Sequence, residues 1–114
     1  MMKNSEIKIT VELDENKMPE KIDWEATDAG FDGKKDARTL MLSLWDPNEK
    51  LTLGIDLWTK EMMVEDMKAH FYQMFQKMAD TFERSTQGVE GANMIRDFAD
   101  DFAKQVELKK PAEN

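Results

Sequence analysis

Two spacings of hydrophobic residues divide the chain near residue 60. Residues 51 to 58 carry an apolar side chain at every second position. Between residues 63 and 86 apolar side chains recur every three or four positions, at Met67, Phe71, Met74, Met78 and Phe82. The first spacing is typical of a half-buried β-strand and the second of an amphipathic α-helix. The sequence therefore predicts a sheet in the first half of the chain and helices in the second.

Four segments before residue 60 show the spacing of a strand. Their inward positions are predicted to be Ile7, Ile9, Val11 and Leu13, then Ile22, Trp24 and Ala26, then Leu40, Leu42 and Leu44, and finally Leu51, Leu53, Ile55 and Leu57. The glycine-bearing segment 28–36 is predicted to be a loop. Asp46-Pro47-Asn48 favours a type I turn, and short turns between consecutive strands favour antiparallel pairing.

The second half of the chain predicts two helices. The first covers residues 63 to 86 and stops at Gly88, and the second begins near Glu90 and ends before Pro111. The fold class is therefore α+β, a four-stranded antiparallel sheet with two C-terminal helices packed on one face, in the order ββββαα. The length of 114 residues favours a single domain over residues 1–110, with a frayed tail at 111–114.

Composition and charge narrow the classes of function. The formal net charge of −8 disfavours nucleic acid as a partner, because basic residues form only two doublets. No apolar run approaches the roughly 20 residues that span a bilayer, so we expect no direct membrane insertion. The first residues lack the apolar segment of a signal peptide, and we therefore expect a cytoplasmic protein. Without cysteine, thiol catalysis and thiolate metal sites are excluded.

Candidate catalytic groups are few and poorly patterned. His70 is the only histidine, and Asp66 lies four residues before it, a spacing more typical of a surface contact than of a catalytic pair. The carboxylates show no metal-ligand spacing and the glycines no phosphate-binding pattern. The sequence therefore predicts no catalytic residue, no cofactor and no metal. A small hydrolase or cation-binding domain that uses Asp46, Asp56 or His70 is the less favoured alternative.

The outer face of the third and fourth predicted strands is unusual for a surface that should meet water. It carries Met41, Trp45 and Trp58 together with Asp56. Tryptophan is enriched where interfaces carry their binding energy, so these four residues are candidates for partner binding or for formation of a homo-oligomer. The alternative is that the second helix or the chain termini fold over this face.

Several segments match a known family. They are Ser5 to Asn16, Pro19-Glu-Lys-Ile22, Leu42-Ser-Leu-Trp-Asp46, Ile55-Asp-Leu-Trp-Thr-Lys60 and Met78-Ala-Asp-Thr-Phe82. In these segments the chain resembles the gliding motility-associated GldC family of the Bacteroidetes, over nearly its whole length.

The resemblance implies a small cytoplasmic accessory protein of the gliding apparatus. It implies a non-enzymatic protein that acts through protein–protein interaction, with partners in the motility or associated secretion machinery. The family supplies no catalytic residue to carry over. The ββββαα order is also similar to the SecB-like export chaperones, so a chaperone or assembly factor is an alternative by analogy of fold alone.

Overall fold

The computed structural model describes residues 3–108 of the chain. Two compact units make up the protein, Met1–Met62 and Met63–Asn114. The first unit contains the described strands and the second the two helices. This arrangement confirms the α+β class and the change of structure near residue 60. The single domain over residues 1–110 stays a prediction, and the tail at 111–114 lies outside the described residues.

The first sheet has three antiparallel strands in the order β1-β2-β3. These strands are β1 (Ile7–Leu13), β2 (Pro19–Ala26) and β3 (Lys35–Ala37). In the middle strand, Ile22 lies between Val11 of β1 and Ala37 of β3. It is 1% exposed, and it is the largest side chain of the described residues that is almost fully buried.

The turn between β1 and β2 depends on Asp14. Its carboxylate accepts the N–H groups of Asn16 at 2.8 Å and of Met18 at 3.0 Å, and its other oxygen lies 3.1 Å from the ammonium of Lys60. The backbone hydrogen bond from Met18, followed by the bond from Lys60, lowers the pKa of this carboxyl below its ordinary value. These bonds stabilise the turn, as is typical of an aspartate that accepts backbone N–H groups a few residues further on.

The second sheet has two antiparallel strands, β4 (Thr39–Asp46) and β5 (Leu51–Trp58). The prediction of one four-stranded sheet is therefore wrong, since residues 3–108 form five strands in two sheets. The predicted loop 28–36 runs into β3, and a bend at Arg38 separates β3 from β4. The carbonyl oxygen of Arg38 accepts two bonds from Thr59, from its N–H at 2.9 Å and its hydroxyl at 3.3 Å.

The helices α1 (Val64–Thr86) and α2 (Val89–Gln105) agree with the predicted spans to within one residue at three of their ends. The predicted stop at Gly88 is displaced by one position, because Gln87 takes the left-handed conformation with φ 62°. A side chain at Gly88 would meet the ring of Phe82 at 2.9 Å, so this glycine permits the close turn into α2. The packing of the helices on one face of a sheet stays a prediction.

Small and aromatic side chains hold α1 against α2. The alanines Ala79, Ala92 and Ala99 are buried, and the ring of Phe75 lies 5.2 Å from the rings of both Phe98 and Phe102. Such edge-to-face contacts add to the apolar area that the pair of helices buries. Within residues 3–108, neither helix is long and apolar enough to cross a bilayer.

Charged groups also link the two helices. Arg96 of α2 donates to Asp80 and to Glu83 of α1, at 2.9 Å in each case. The bond to Asp80, followed by the bond to Glu83, raises the pKa of the guanidinium. These side chains are partly exposed, so we expect their ion pairs to add little to the stability. We expect them instead to help set the register of the two helices.

Tyr72 offers a direct probe of this unit, because it is the only tyrosine. Its hydroxyl donates to Asp100 of α2 at 3.3 Å, and both desolvation and the charge of Asp100 raise its pKa above 10.0. We expect the ionisation midpoint at 295 nm to lie above that of the unfolded chain. Because the pKa of Tyr72 is higher in the folded protein, the protonated hydroxyl contributes to the stability of the fold. This contribution is fully present below the unfolded pKa and is lost as the pH rises through the folded pKa.

The variant Asp100→Asn is expected to move this midpoint back toward 10, and Asp101→Asn serves as the neighbouring control. A midpoint in the folded protein that equals the one measured in concentrated urea would contradict the contact between Tyr72 and Asp100.

Candidate interaction surface

Asp46 fixes the turn that joins β4 to β5. Its Oδ1 accepts the N–H of Asn48 at 3.0 Å, and its carbonyl oxygen accepts the N–H of Lys50 at 2.8 Å. Lys50 closes the turn in the left-handed conformation, with φ 57°. This geometry confirms a turn at the predicted position, with the closing bond at Lys50. It also sets the register of the hairpin, in which Asp46 lies opposite Leu51 and every later pair follows without a shift.

The four predicted site residues lie on one face of this hairpin, which we call the tryptophan face (Met41, Trp45, Asp56 and Trp58). Met41 lies directly opposite Asp56. Trp45 lies opposite Thr52, so six residues, or about 20 Å, separate the two tryptophans along the strands. The structure thus brings the four residues to one surface, with the tryptophans at its two ends and the Met41–Asp56 pair between them.

The tryptophan face is open to solvent. Trp45 is 63% exposed, Trp58 61% and Met41 42%, and Asp56 is exposed as well. Two tryptophans in water are unfavourable, since each exposes a large apolar area. Both indole rings are therefore accessible at the surface of the hairpin.

The opposite face of the hairpin is the leucine face (Leu40, Leu42, Leu44, Leu51, Leu53, Ile55 and Leu57), which the sequence predicts to point inward. That prediction is wrong for four of the seven, because Leu44, Leu51, Leu53 and Ile55 are 49 to 60% exposed. Alternation identifies the apolar side of a strand but not what covers it. These four residues were therefore predicted to lie in a core, although they are at the surface.

The hairpin as a whole is poor in charge. Between residues 39 and 58 the charged side chains are Asp46, Glu49, Lys50 and Asp56, and two of these lie in the turn. The leucine face is apolar, whereas the tryptophan face also carries Thr39, Ser43, Thr52 and Gly54 between its aromatic ends.

The carboxylates of the hairpin do not form an acid–base pair. Asp46 lies on the side of the leucine face and Asp56 on the tryptophan face, with about 17 Å of strand between them. His70 is half-buried on α1, with its ring 6.5 Å from that of Phe71. In the described part of the chain, no group of three or more histidine and carboxylate side chains could hold a metal ion.

An open crevice of about 520 Å³ lies in the strand unit. Ile22, Ala37 and Thr59 line part of it. The other lining residues are charged, and they are Glu12, Glu20, Lys21, Asp36, Arg38 and Glu61. The carboxylate of Glu61 lies 3.7 Å from the guanidinium of Arg38, and both side chains are largely exposed. This mixture of solvated charges does not single out a ligand of one charge.

Comparison with known families agrees with the sequence segments quoted above. A family model described as gliding motility-associated protein GldC-like matches residues 19–108, which contain β2 to β5 and both helices. The chain belongs to the GldC-like family. All four residues of the tryptophan face lie within the match, whereas the segment Ser5 to Asn16 lies before it. No curated protein and no solved structure matches the chain.

Membership of the GldC-like family associates this protein with gliding motility. It confirms the resemblance in the central and C-terminal segments. The alternatives gain nothing from the comparisons: without a matching solved structure, the analogy with the SecB-like chaperones has no further support. The separation of Asp46 from Asp56 likewise gives no support to a hydrolase that would use both.

Proposed function

We propose that this GldC-like protein is a non-enzymatic accessory component of the bacterial gliding machinery, and that it acts in the cytoplasm by binding another protein of that machinery. The family match supports the motility association. The tryptophan face supports the binding role. The partner would belong to the motility or the associated secretion apparatus.

The exposure of Trp45 and Trp58 carries this proposal. A tryptophan buries about 150–250 Å² when it is fully covered, so two that are some 60% exposed leave on the order of 250 Å² of aromatic surface for a partner. Residues of this type at the centre of an interface dominate its binding energy. Asp56, between the two rings, would then determine orientation through a basic or hydrogen-bonding group of the partner.

The leucine face adds to the argument by its chemistry. Aliphatic side chains bind by area and shape, with little selection for charge. The hairpin therefore presents two surfaces that differ in kind: one has two aromatic rings among small polar residues and a single carboxylate, and the other is aliphatic. Binding of a partner that requires the aromatic face should weaken when one indole ring is lost, whereas non-specific hydrophobic association should not.

We expect Trp45→Ala and Trp58→Ala each to weaken partner binding by about 30-fold, equivalent to about 2 kcal/mol, while the free energy of unfolding changes by less than about 0.5 kcal/mol. The measurement has two parts. Gliding of single cells is scored in a strain that carries each variant at wild-type protein level. Affinity is then measured with the partner identified by crosslinking in the wild-type strain.

Met94→Ala is the control, because Met94 is also a large exposed apolar side chain (74%) but lies on α2. It should leave gliding and binding unchanged. The proposal is wrong if both tryptophan variants support normal gliding, or if they unfold early and still bind. In the second case the two rings belong to a core.

A further inference from the structure

The pair of helices presents an apolar face that the contact between α1 and α2 does not bury. Along α1 the apolar side chains recur every three or four positions, and on α2 Phe98 and Phe102 are four positions apart, so each set lies on one side of its helix. Phe75 contacts Phe71 as well as Phe98, which brings both sets to the same side of the pair. We call this side the phenylalanine face, and its residues are Phe71, Met74, Met78, Phe82, Phe98 and Phe102.

The phenylalanine face is large enough for a specific interface. Met78 is 58% exposed and Phe98 55%, and Phe82 is exposed as well. With a rise of about 1.5 Å per residue over the 17 residues of α2, and with two helices side by side, the face measures about 25 Å by about 20 Å. One copy would contribute about 500 Å² in projection and more in accessible area, so two copies approach the roughly 1,200 Å² at which specific interfaces begin.

The outer sides of the helices, which border the phenylalanine face, carry opposite charges. The alanines Ala79, Ala92 and Ala99 are buried, so a position two residues from one of them lies about 160° around the helix, on the side turned away from the other helix. The charged residues at such positions are Lys77 on α1 and Glu90, Asp97 and Asp101 on α2. Arg84 lies on the same side of α1, two turns after Lys77. In residues 3–108 none of these five charged side chains forms a salt bridge.

We propose that the phenylalanine faces of two copies of this chain pack together into a four-helix dimer, about a two-fold axis that runs parallel to the helices. This axis places α1 of one copy over α2 of the second copy. It also leaves every residue at its own height along the helices. The basic side of α1 then lies beside the acidic side of α2 at both edges of the dimer.

The contacts within one copy give the heights at which these charges meet. The ring of Phe75 is equally far from two rings that are four residues apart on α2, so it is level with position 100. Because the helices are antiparallel, Lys77 is level with position 98, close to both outer aspartates of the second copy. Arg84 is level with position 91, next to Glu90 of the second copy. At the ends remote from the turn the signs are reversed but still opposite, with Asp66 on the outer side of α1 and Lys104 on that of α2.

Other ways of covering the phenylalanine face fit these charges less well. A two-fold axis across the helices would place α2 over α2, so that Asp101 lies within one turn of Asp101 of the second copy, and like charges at that spacing repel. An aliphatic surface without charges, such as the leucine face, would cover the rings but leave both charged sides without partners. Charge complementarity therefore points to a second copy as the occupant.

The dimer does not depend on the proposed motility partner. The tryptophan face lies on β4 and β5, and none of its residues takes part in the helical interface. Trp45→Ala and Trp58→Ala should therefore leave the mass of the dimer unchanged, and the two proposals can fail separately.

The test measures the mass of the full chain by size-exclusion chromatography with light scattering, between about 1 and about 100 μM. We expect a species of twice 13.3 kDa for the wild type. Met78→Lys buries two unpaired ammonium groups in the symmetric interface and should raise the dissociation constant at least about 100-fold. Gln76→Lys is the matched control, because Gln76 is exposed on the opposite side of α1, and it should leave the dimer intact. Both variants should keep the helical signal of the wild type at 222 nm.

A mixing experiment tests which helices lie over each other. Lys77→Glu and the double variant Asp97→Lys/Asp101→Lys each set like charges against each other at both edges of a homodimer, and each should raise the dissociation constant about 10-fold. In an equimolar mixture of the two variants, the mixed dimer has opposite charges at both edges and should recover the wild-type affinity. Three results overturn the proposal: a wild-type monomer at about 100 μM, a dimer that survives Met78→Lys, or a mixture that associates no more tightly than its separate components.

Discussion

Replacing Ile22 with alanine is expected to lower the free energy of unfolding of the strand unit by about 3 kcal/mol. Ile22 is 1% exposed and lies in the middle strand of the first sheet, between Val11 and Ala37. Truncation of a buried isoleucine costs about 2–5 kcal/mol, from lost transfer free energy and from the cavity that is left. A unit of some 60 residues has a low free energy of unfolding. We therefore expect a large fraction of the Ile22→Ala molecules to have an unfolded strand unit at 37 °C.

Urea unfolding followed by circular dichroism measures this effect. Ile22→Val, which removes one methylene group, should cost about 1 kcal/mol. Ile7→Ala, on the adjacent strand at 74% exposure, should cost less than about 0.5 kcal/mol. If Ile22→Ala is no more harmful than Ile7→Ala, then Ile22 is not the central residue of this core.

Enlarging Ala79 to leucine is expected to destabilise the pair of helices by about 1–3 kcal/mol. Ala79 is fully buried on α1, one turn after Phe75 and one turn before Glu83. Both of those residues contact α2, through the ring of Phe98 and the guanidinium of Arg96. Added carbon atoms between two closely packed helices force the backbones apart, as overpacking of a core does.

The helical signal at 222 nm during thermal and urea unfolding reports this change. Met94→Leu is the control, since it places the same side chain on α2 at a position that is 74% exposed, and it should shift stability by less than about 0.5 kcal/mol. Equal stability of Ala79→Leu and Met94→Leu would show that the two helices do not meet at Ala79.

The helices were predictable because their signal is local. The spacing of apolar residues from Met67 to Phe82 gives α1 to within one residue, and the turn at Gln87 and Gly88 separates it from α2. The strands β1, β2, β4 and β5 were predictable for the same reason. β3 was missed because Lys35, Asp36 and Ala37 show no apolar alternation, and their strand conformation depends on hydrogen bonds to β2.

The candidate surface was only half predictable. The parity of positions along β4 and β5 was enough to place Met41, Trp45, Asp56 and Trp58 on one face, since side chains alternate along any strand. The same parity assigned the leucine face to the interior. Nothing in the spacing distinguishes an apolar face that packs inside its own chain from one that is left for association, because both obey the same burial rule.

The secondary structure of most of the chain, the turn at Asp46 and the residues on each face of the hairpin could all be predicted from the sequence. These properties depend on residues within a few positions of one another. Three features required the three-dimensional structure: the division of the strands into two sheets at Arg38, the exposure of Leu44, Leu51, Leu53 and Ile55, and the pairing of β5 with β4 alone among the described residues. Those features depend on pairing between backbone groups that are far apart in the sequence, and the local spacing of apolar residues does not specify which of these groups pair.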